Sequence, residues 1–192
     1  MFIESPSTPE ACTYWDRERE LDGHVSNWSR AWAWRPDVAE GFVALRKTLM
    51  QETSLDVREL AVLVCATTRT LGDSYCALAW GSKLASVAGP RLAGAVLRGE
   101  SNDELTARES ALRDWAQRIV RDPNGTSRGD VEALRSAGLS DKEIFEATAF
   151  VAFRLAFSVV NDALGAVPDA QLKTDAPAEV RDAVTWGRQA SP

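Results

Sequence analysis

The chain carries one histidine, His24, and three cysteines, Cys12, Cys65 and Cys76, among 192 residues. No C-x-x-C occurs, and His24 stands far from Cys65 and Cys76, so the four closely spaced ligands of a structural zinc site are missing. No metal and no other cofactor is expected. Sparse cysteines of odd number make no disulfide framework and fit a reducing compartment. A Ser-His-Asp hydrolase would have to recruit His24, which lies in an aromatic, turn-prone segment without a G-x-S-x-G context. The glycines are scattered, and none forms G-x-G-x-x-G or a Walker A pattern, which disfavours nucleotide-driven chemistry. Long apolar runs are also lacking. The most apolar stretch, Ala147 to Val160, is interrupted by Arg154 and is shorter than the ~20 residues of a membrane span. The opening MFIESPSTPE carries Glu4 and Glu10 and does not read as a secretory signal. Strand-like alternation is scarce after Pro36, and there is no repeat or low-complexity tract.

What is present suits one soluble globular domain: 45% hydrophobic and 26% charged residues, enough to bury a core. Lys and Arg number 22 against 28 Asp and Glu, a net charge of −6. An acidic surface repels phosphate backbones, so neither nucleic acid nor an anionic membrane is an expected partner. A cytoplasmic location is the expectation. The pattern is all-α. Val38, Phe42, Leu45 and Leu49 make one helical face from Pro36 to Met50. A second helix runs from Asp56 to Leu71, and its centre, Leu60 to Ala66, is apolar all round and so buried on several sides. Asp73 N-caps a third helix that Gly89-Pro90 stops at Ala88. Further helices are read at Arg91 to Leu97, Asn102 to Arg121 and Asp130 to Ala137. A long one to Leu164 follows a capping box at Ser140 and Glu143.

The chain divides into a tryptophan-rich arm (1–36), a helical domain (37–170) and a C-terminal tail (171–192) with a last helix from Pro177 to Trp186. The arm holds four of the seven tryptophans: Trp15, Trp28, Trp32 and Trp34. They either plug hydrophobic gaps or cap a ligand pocket or a neighbouring subunit.

The chemistry concentrates where two helices meet at Gly72-Asp73. With Asp73 as N-cap, Cys76 falls at N3, where free N–H groups and the helix dipole favour a thiolate. The Asp73 carboxylate opposes this by raising the thiol pKa, and the sequence leaves the net sign open. Trp80, four residues on, shares a face with Cys76 and forms an apolar wall. Tyr75 is either a packing aromatic or a substrate contact, and Glu59 either a first-turn helix charge or a proton carrier. Arg154, inside an apolar helix, must find a carboxylate or carbonyl, or anchor a ligand.

These segments resemble a known family. R-E-L (Arg58 to Leu60) with its apolar helix, then L-G-D-S-Y-C-A-L-A-W-G (Leu71 to Gly81), is similar to the AhpD-like, or carboxymuconolactone decarboxylase-like, superfamily. The run from Asp16 to Val38 looks like the lead-in of its peroxidase-related branch, and Val159 to Asp169 is similar to that branch's closing segment. The resemblance spans Tyr14 to Asp169. It implies an all-α AhpD-like bundle that forms a homo-oligomer, a trimer or a hexamer as a dimer of trimers, with pockets near subunit contacts. Redox members of the family pair a Glu with C-x-x-C and a His four residues past the second cysteine. On that pattern Cys76 keeps the attacking position, while Asp73 replaces the resolving cysteine and Trp80 the histidine. The Glu position lands on Ala61; Glu59 lies two residues earlier, about 200° round the helix.

One of four redox positions survives, so two-cysteine peroxidase turnover is not expected. The leading expectation is an enzyme without metal or nucleotide that acts on a small-molecule organic substrate. Cys76, Asp73, Tyr75 and Glu59 are its candidate catalytic groups and Trp80 lines its pocket. The alternatives are a one-cysteine hydroperoxide reductase, with an external thiol to resolve a sulfenic acid on Cys76, and a non-catalytic ligand-binding or assembly protein.

Overall fold

Side-chain caps open six of the eleven α-helices among the described residues. In the computed structural model, which describes residues 1–190, the helices are α1 (Pro9–Asp22), α2 (Asn27–Trp32), α3 (Pro36–Gln51), α4 (Val57–Leu71), α5 (Ser74–Ala88) and α6 (Pro90–Arg98). Then come α7 (Ala107–Arg121), α8 (Arg128–Ser136), α9 (Asp141–Ala163), α10 (Ala170–Asp175) and α11 (Ala178–Ala183). No strand occurs among the described residues, so the fold is all-α as expected.

Helix α4 packs against α5, α6, α7 and α9. Asp56 accepts from the amides of Arg58 and Glu59 at 2.8 Å, and Glu59 accepts from the Asp56 amide at 3.0 Å, a reciprocal capping box. Gly72, at φ 86°, closes the helix in the left-handed conformation that a side chain disfavours. Every residue from Glu59 to Thr68 is buried. Ala61, Val62 and Cys65 face one apolar cluster with Leu84, Leu92, Leu97 and Val180. Leu60, Leu63 and Val64 face another with Leu112, Trp115, Phe150 and Val151. A helix apolar all round is the one that can serve two cores at once. Burying one such leucine contributes roughly 1.5–3 kcal/mol. Gly81 marks the close approach of α5, α6 and α11: a Cβ there would lie 2.7 Å from both Leu97 Cδ1 and Val180 Cγ1.

The structure departs from the sequence reading in four places. The arm contains α1 and α2, with Thr8 capping α1 ahead of Pro9; its dense charge hid the helical period. Helix α7 starts at Ala107, not Asn102, because Thr106 and Glu109 form the capping box while Asn102 accepts from the Glu104 amide in a tight turn. The face of α3 is rotated. Val38 and Leu45 are 46% and 51% exposed, whereas Ala39 is buried and Phe42, Arg46 and Leu49 are half-buried. The aromatic layer of Trp32 and Phe157 against Phe42 decides that orientation. Finally, the last segment holds two helices, α10 and an α11 that ends at Ala183 rather than Trp186. It belongs to the core, with Val180 and Ala183 buried against α6.

Candidate active site

The αL turn at Gly72 hands the chain to Asp73, whose own amide still reaches Thr68 O at 3.0 Å. Asp73 is fully buried, and its Oδ1 accepts from the Cys76 amide at 3.0 Å, as an N-cap must. Its other oxygen accepts from Ser158 Oγ of α9 at 2.5 Å, and that hydroxyl lies 3.9 Å from Cys76 Sγ. Thiol, hydroxyl and carboxylate therefore form a short polar chain at the start of α5. Cys76 is 3% exposed. Burial first, then the Asp73 charge, push its thiol well above the ordinary range, while Arg154 and Ser158 pull it down. The opposing effects left open by the sequence resolve toward a protonated thiol.

Cys76 lies in the wall of a cavity of about 260 Å³ whose lining includes Trp28, Phe42, Arg46, Tyr75, Trp80, Arg154 and Phe157. Trp28 packs edge-on to Phe157 with centroids 5.2 Å apart, and Trp32 stacks on Phe157 at 5.6 Å. Trp32 is held by a hydrogen bond from its indole N–H to Asn161 Oδ1 at 2.8 Å. Trp80, from the helical face of Cys76, meets Phe150 edge-on at 6.1 Å. The arm thus supplies Trp28 to the cavity wall, while Trp32 fills an apolar gap against Phe42 and Phe157.

The expected site residues separate into two groups. Cys76 and Trp80 line the cavity, and the fully buried Asp73 stands behind Cys76, bonded to its amide. Tyr75 contributes its ring, but its hydroxyl donates to Asp169, which also accepts from the Asn27 amide at 2.9 Å. Burial, then the hydrogen bond to Asp169, raise its pKa and keep it a neutral donor. Glu59 does not join them. It caps α4 and accepts from Arg108 Nε at 2.7 Å, Arg108 also reaching Glu143 at 2.9 Å. Cys12, Cys65 and Cys76 are all free, and burial pushes the Cys65 thiol up. The ring of His24 contacts the carbonyl of Asp22 at 3.1 Å. Among the described residues no group of three or more His, Cys, Asp or Glu is placed to hold a metal ion, and no helix is long and apolar enough to cross a membrane.

Ser158, Arg46 and Asp169 were not singled out from the sequence. One available signal was the α9 stripe Arg154, Phe157, Ser158, Asn161, whose spacing puts three polar residues on an inward helical face. Near it, Asp162 is half-buried; burial and the charge of Asp73 push its carboxyl up to about 7, against the pull of Arg188.

Among solved structures, an uncharacterized peroxidase-related protein from Silicibacter sp. TM1040 is similar, with a TM-score of 0.76 and 23% identity over 89% of this chain and 93% of that one. An AhpD-core peroxidase-related protein from Ralstonia eutropha JMP134 gives 0.77 and 23% over the same shares, 89% and 93%. The debrominase Bmp8, as a cysteine-to-alanine variant in complex with 2,3,4-tribromopyrrole, gives 0.74 and 14% over 95% of this chain and 97% of that one. No family model and no curated protein matches the sequence. The chain has the AhpD-like fold.

Proposed function

We propose that the chain is an enzyme that acts, without metal or nucleotide, on a small organic molecule bound beside Cys76, and that it does not run a two-cysteine peroxidase cycle. The observation that carries this reading is that Cys76, in the wall of an aromatic-lined cavity, shares with the buried Asp73 behind it one hydroxyl, that of Ser158. A carboxylate and a thiol that share one hydroxyl are groups able to carry protons to and from carbon. A thiol pushed toward its protonated form suits peroxide attack poorly, because the thiolate is the nucleophile there. Asp73 stands where the resemblance puts a resolving cysteine, so no neighbouring thiol takes up a sulfenic acid. The cavity is below the ~300–1,000 Å³ of sites for drug-sized ligands, which favours a small substrate. The brominated pyrrole bound by the debrominase of the same fold is a ligand of that order of size. The homo-oligomer, a trimer or hexamer, remains part of the proposal, supported by the apolar Val38, Val43 and Leu45 exposed on α3; light scattering measures it.

The test is proton exchange. A panel of small enolisable ketones, lactones and conjugated acids is incubated with the protein in D2O and followed by NMR. The expected result is deuterium incorporation into at least one compound, lost in Cys76→Ser and reduced in Asp73→Asn. Peroxide consumption is expected to be equally negligible in wild type and Cys76→Ser. Cys76-dependent peroxide turnover with no exchange anywhere in the panel would overturn the reading in favour of the one-cysteine reductase.

A further inference from the structure

Arg154 is a buried cation without an acceptor. It is 4% exposed, its Nε has no partner, and it makes no hydrogen bond or ion pair with any described residue. Other arginines of this protein that are largely covered do find acceptors: Arg58 reaches Glu109 at 2.5 Å, and Arg108 bridges Glu59 and Glu143. Arg154 has instead two ring faces, Trp80 at 5.2 Å and Phe157 at 5.4 Å from its Cζ. A second guanidinium, Arg46 of α3, lines the same cavity and also lacks an acidic partner among the described residues. Burial, then repulsion from Arg154, lower its pKa. Two cations share one small space whose lining contains no Asp or Glu. The nearby Asp73 is already engaged by the Cys76 amide and Ser158. Buried charge is costly unless paired, so an arrangement of this kind is completed by a negative ligand.

The rest of the cavity says what that ligand carries besides charge. Trp28, Phe42, Trp80 and Phe157 present aromatic surface around the two guanidinium groups. Flat π-systems accept a flat partner, and the planar fork of arginine matches a carboxylate in two-point geometry. We propose that the Cys76 cavity binds a small aromatic or conjugated organic anion, its carboxylate on Arg154 and Arg46 and its planar body between the aromatic walls. This rests on the reading of the cavity as a substrate site and names its substrate class. Arg154 and Arg46 place the anion, and Cys76 lines the same cavity.

The experiment uses the full chain and four probes: benzoate, its neutral isostere benzamide, the non-aromatic cyclohexanecarboxylate and inorganic phosphate. Binding is followed by saturation-transfer NMR, and its location by protection of Cys76 from iodoacetamide. Benzoate is expected to bind and protect, with benzamide at least tenfold weaker and phosphate giving no protection. Arg46→Met and Arg154→Met are expected to weaken benzoate at least tenfold while leaving benzamide unchanged. Should Arg154→Met fail to fold, the half-buried Arg46 carries the test. Equal affinity for benzamide and benzoate, or full benzoate affinity in Arg46→Met, overturns the proposal. Protection by phosphate matching that by benzoate also overturns it, in favour of an inorganic anion site, and equal binding of cyclohexanecarboxylate removes the aromatic requirement and with it the proposed class. Arginine-dependent benzoate binding without deuterium exchange would keep this inference and sink the enzyme; exchange without preference for anions would do the reverse.

Discussion

Replacing Arg154 by methionine should make the protein more stable, which is unusual for a residue 96% covered by its own fold. Removing a buried group ordinarily costs stability because it leaves a void or an orphaned partner. Methionine keeps the unbranched stem and fills irregular space, and no acceptor is orphaned because Arg154 has none among the described residues. What disappears is a desolvated charge, whose effective penalty is several kcal/mol. Against that stand two cation–π contacts, at 5.2 and 5.4 Å, each contributing ~0.5–2 kcal/mol. The two contacts together offset ~1–4 kcal/mol, which leaves a gain of up to roughly 3 kcal/mol. For a chain of this length that corresponds to an increase in Tm of up to roughly 10 °C. Calorimetric melting at pH 7 in ligand-free buffer measures it. Arg108→Met is the internal contrast. Arg108 is paired with Glu59 and Glu143, so its loss strands two largely covered carboxylates and should lower Tm. A fall of more than a few degrees in Arg154→Met would show that its charge is a net stabiliser. Arg154 would then be complete without a ligand.

Three further outcomes are expected. The carboxyl of Asp162 is raised from 3.8 to about 7, so its stabilising protonated form is fully present below the unfolded pKa and is lost as pH rises through about 7. The wild type should therefore lose stability between pH 4 and pH 8. Asp162→Asn should be free of that loss and more stable at pH 8 by ~1–2 kcal/mol, allowing for solvent screening of a half-buried group; parallel pH profiles in urea titrations would refute it. Asp73→Asn keeps a capping oxygen but removes the charge that raises the Cys76 thiol. Its alkylation rate should rise at lower pH than in wild type, and an unchanged or upward-shifted profile would contradict the electrostatic account. Gly81→Ala forces a methyl against Leu97 and Val180, where overpacking of ~1–3 kcal/mol outweighs ~1 kcal/mol of helix propensity. The variant should melt lower, and a higher Tm would mean that α11 is not pressed onto α5.

How much of this was legible in the sequence follows from the range of each interaction. Asp56, Asp73 and Ser140 announce their helices because a cap is settled within three residues. The all-round apolar centre of α4 announced its burial for the same local reason. Thr106 is equally local, yet the sequence pattern begins the helix too early, at Asn102; both side chains bond nearby amides, and only Thr106 opens the helix. The face of α3 was misjudged for a different reason. Leu45 and Arg46 are neighbours, and hydropathy alone turns the leucine inward. The aromatic layer of Trp32, Phe42 and Phe157 turns it outward and brings the arginine to the cavity. Ser158 was hidden because a serine in an apolar helix ordinarily satisfies itself on the carbonyl one turn back. Here it bonds Asp73, 85 residues away, and only packing reveals such a contact.

The Cys76 site was therefore legible by subtraction, through the missing cysteine and histidine, while what replaced them was not. Asp73 and Trp80 could be named from their positions. Their new partners, Ser158 and Arg154, come from one face of α9, one turn apart, so that a single helix supplies both the hydroxyl for the thiol and the cation of the cavity. Any small rotation of α9 would move both groups together. The packing of Trp28, Trp32 and Phe42 on Phe157, which lies between them in sequence, fixes that rotation. The tryptophan-rich arm thereby couples the proton-bearing groups to the charge-binding ones, since what seats Phe157 seats both of its neighbours on the helix.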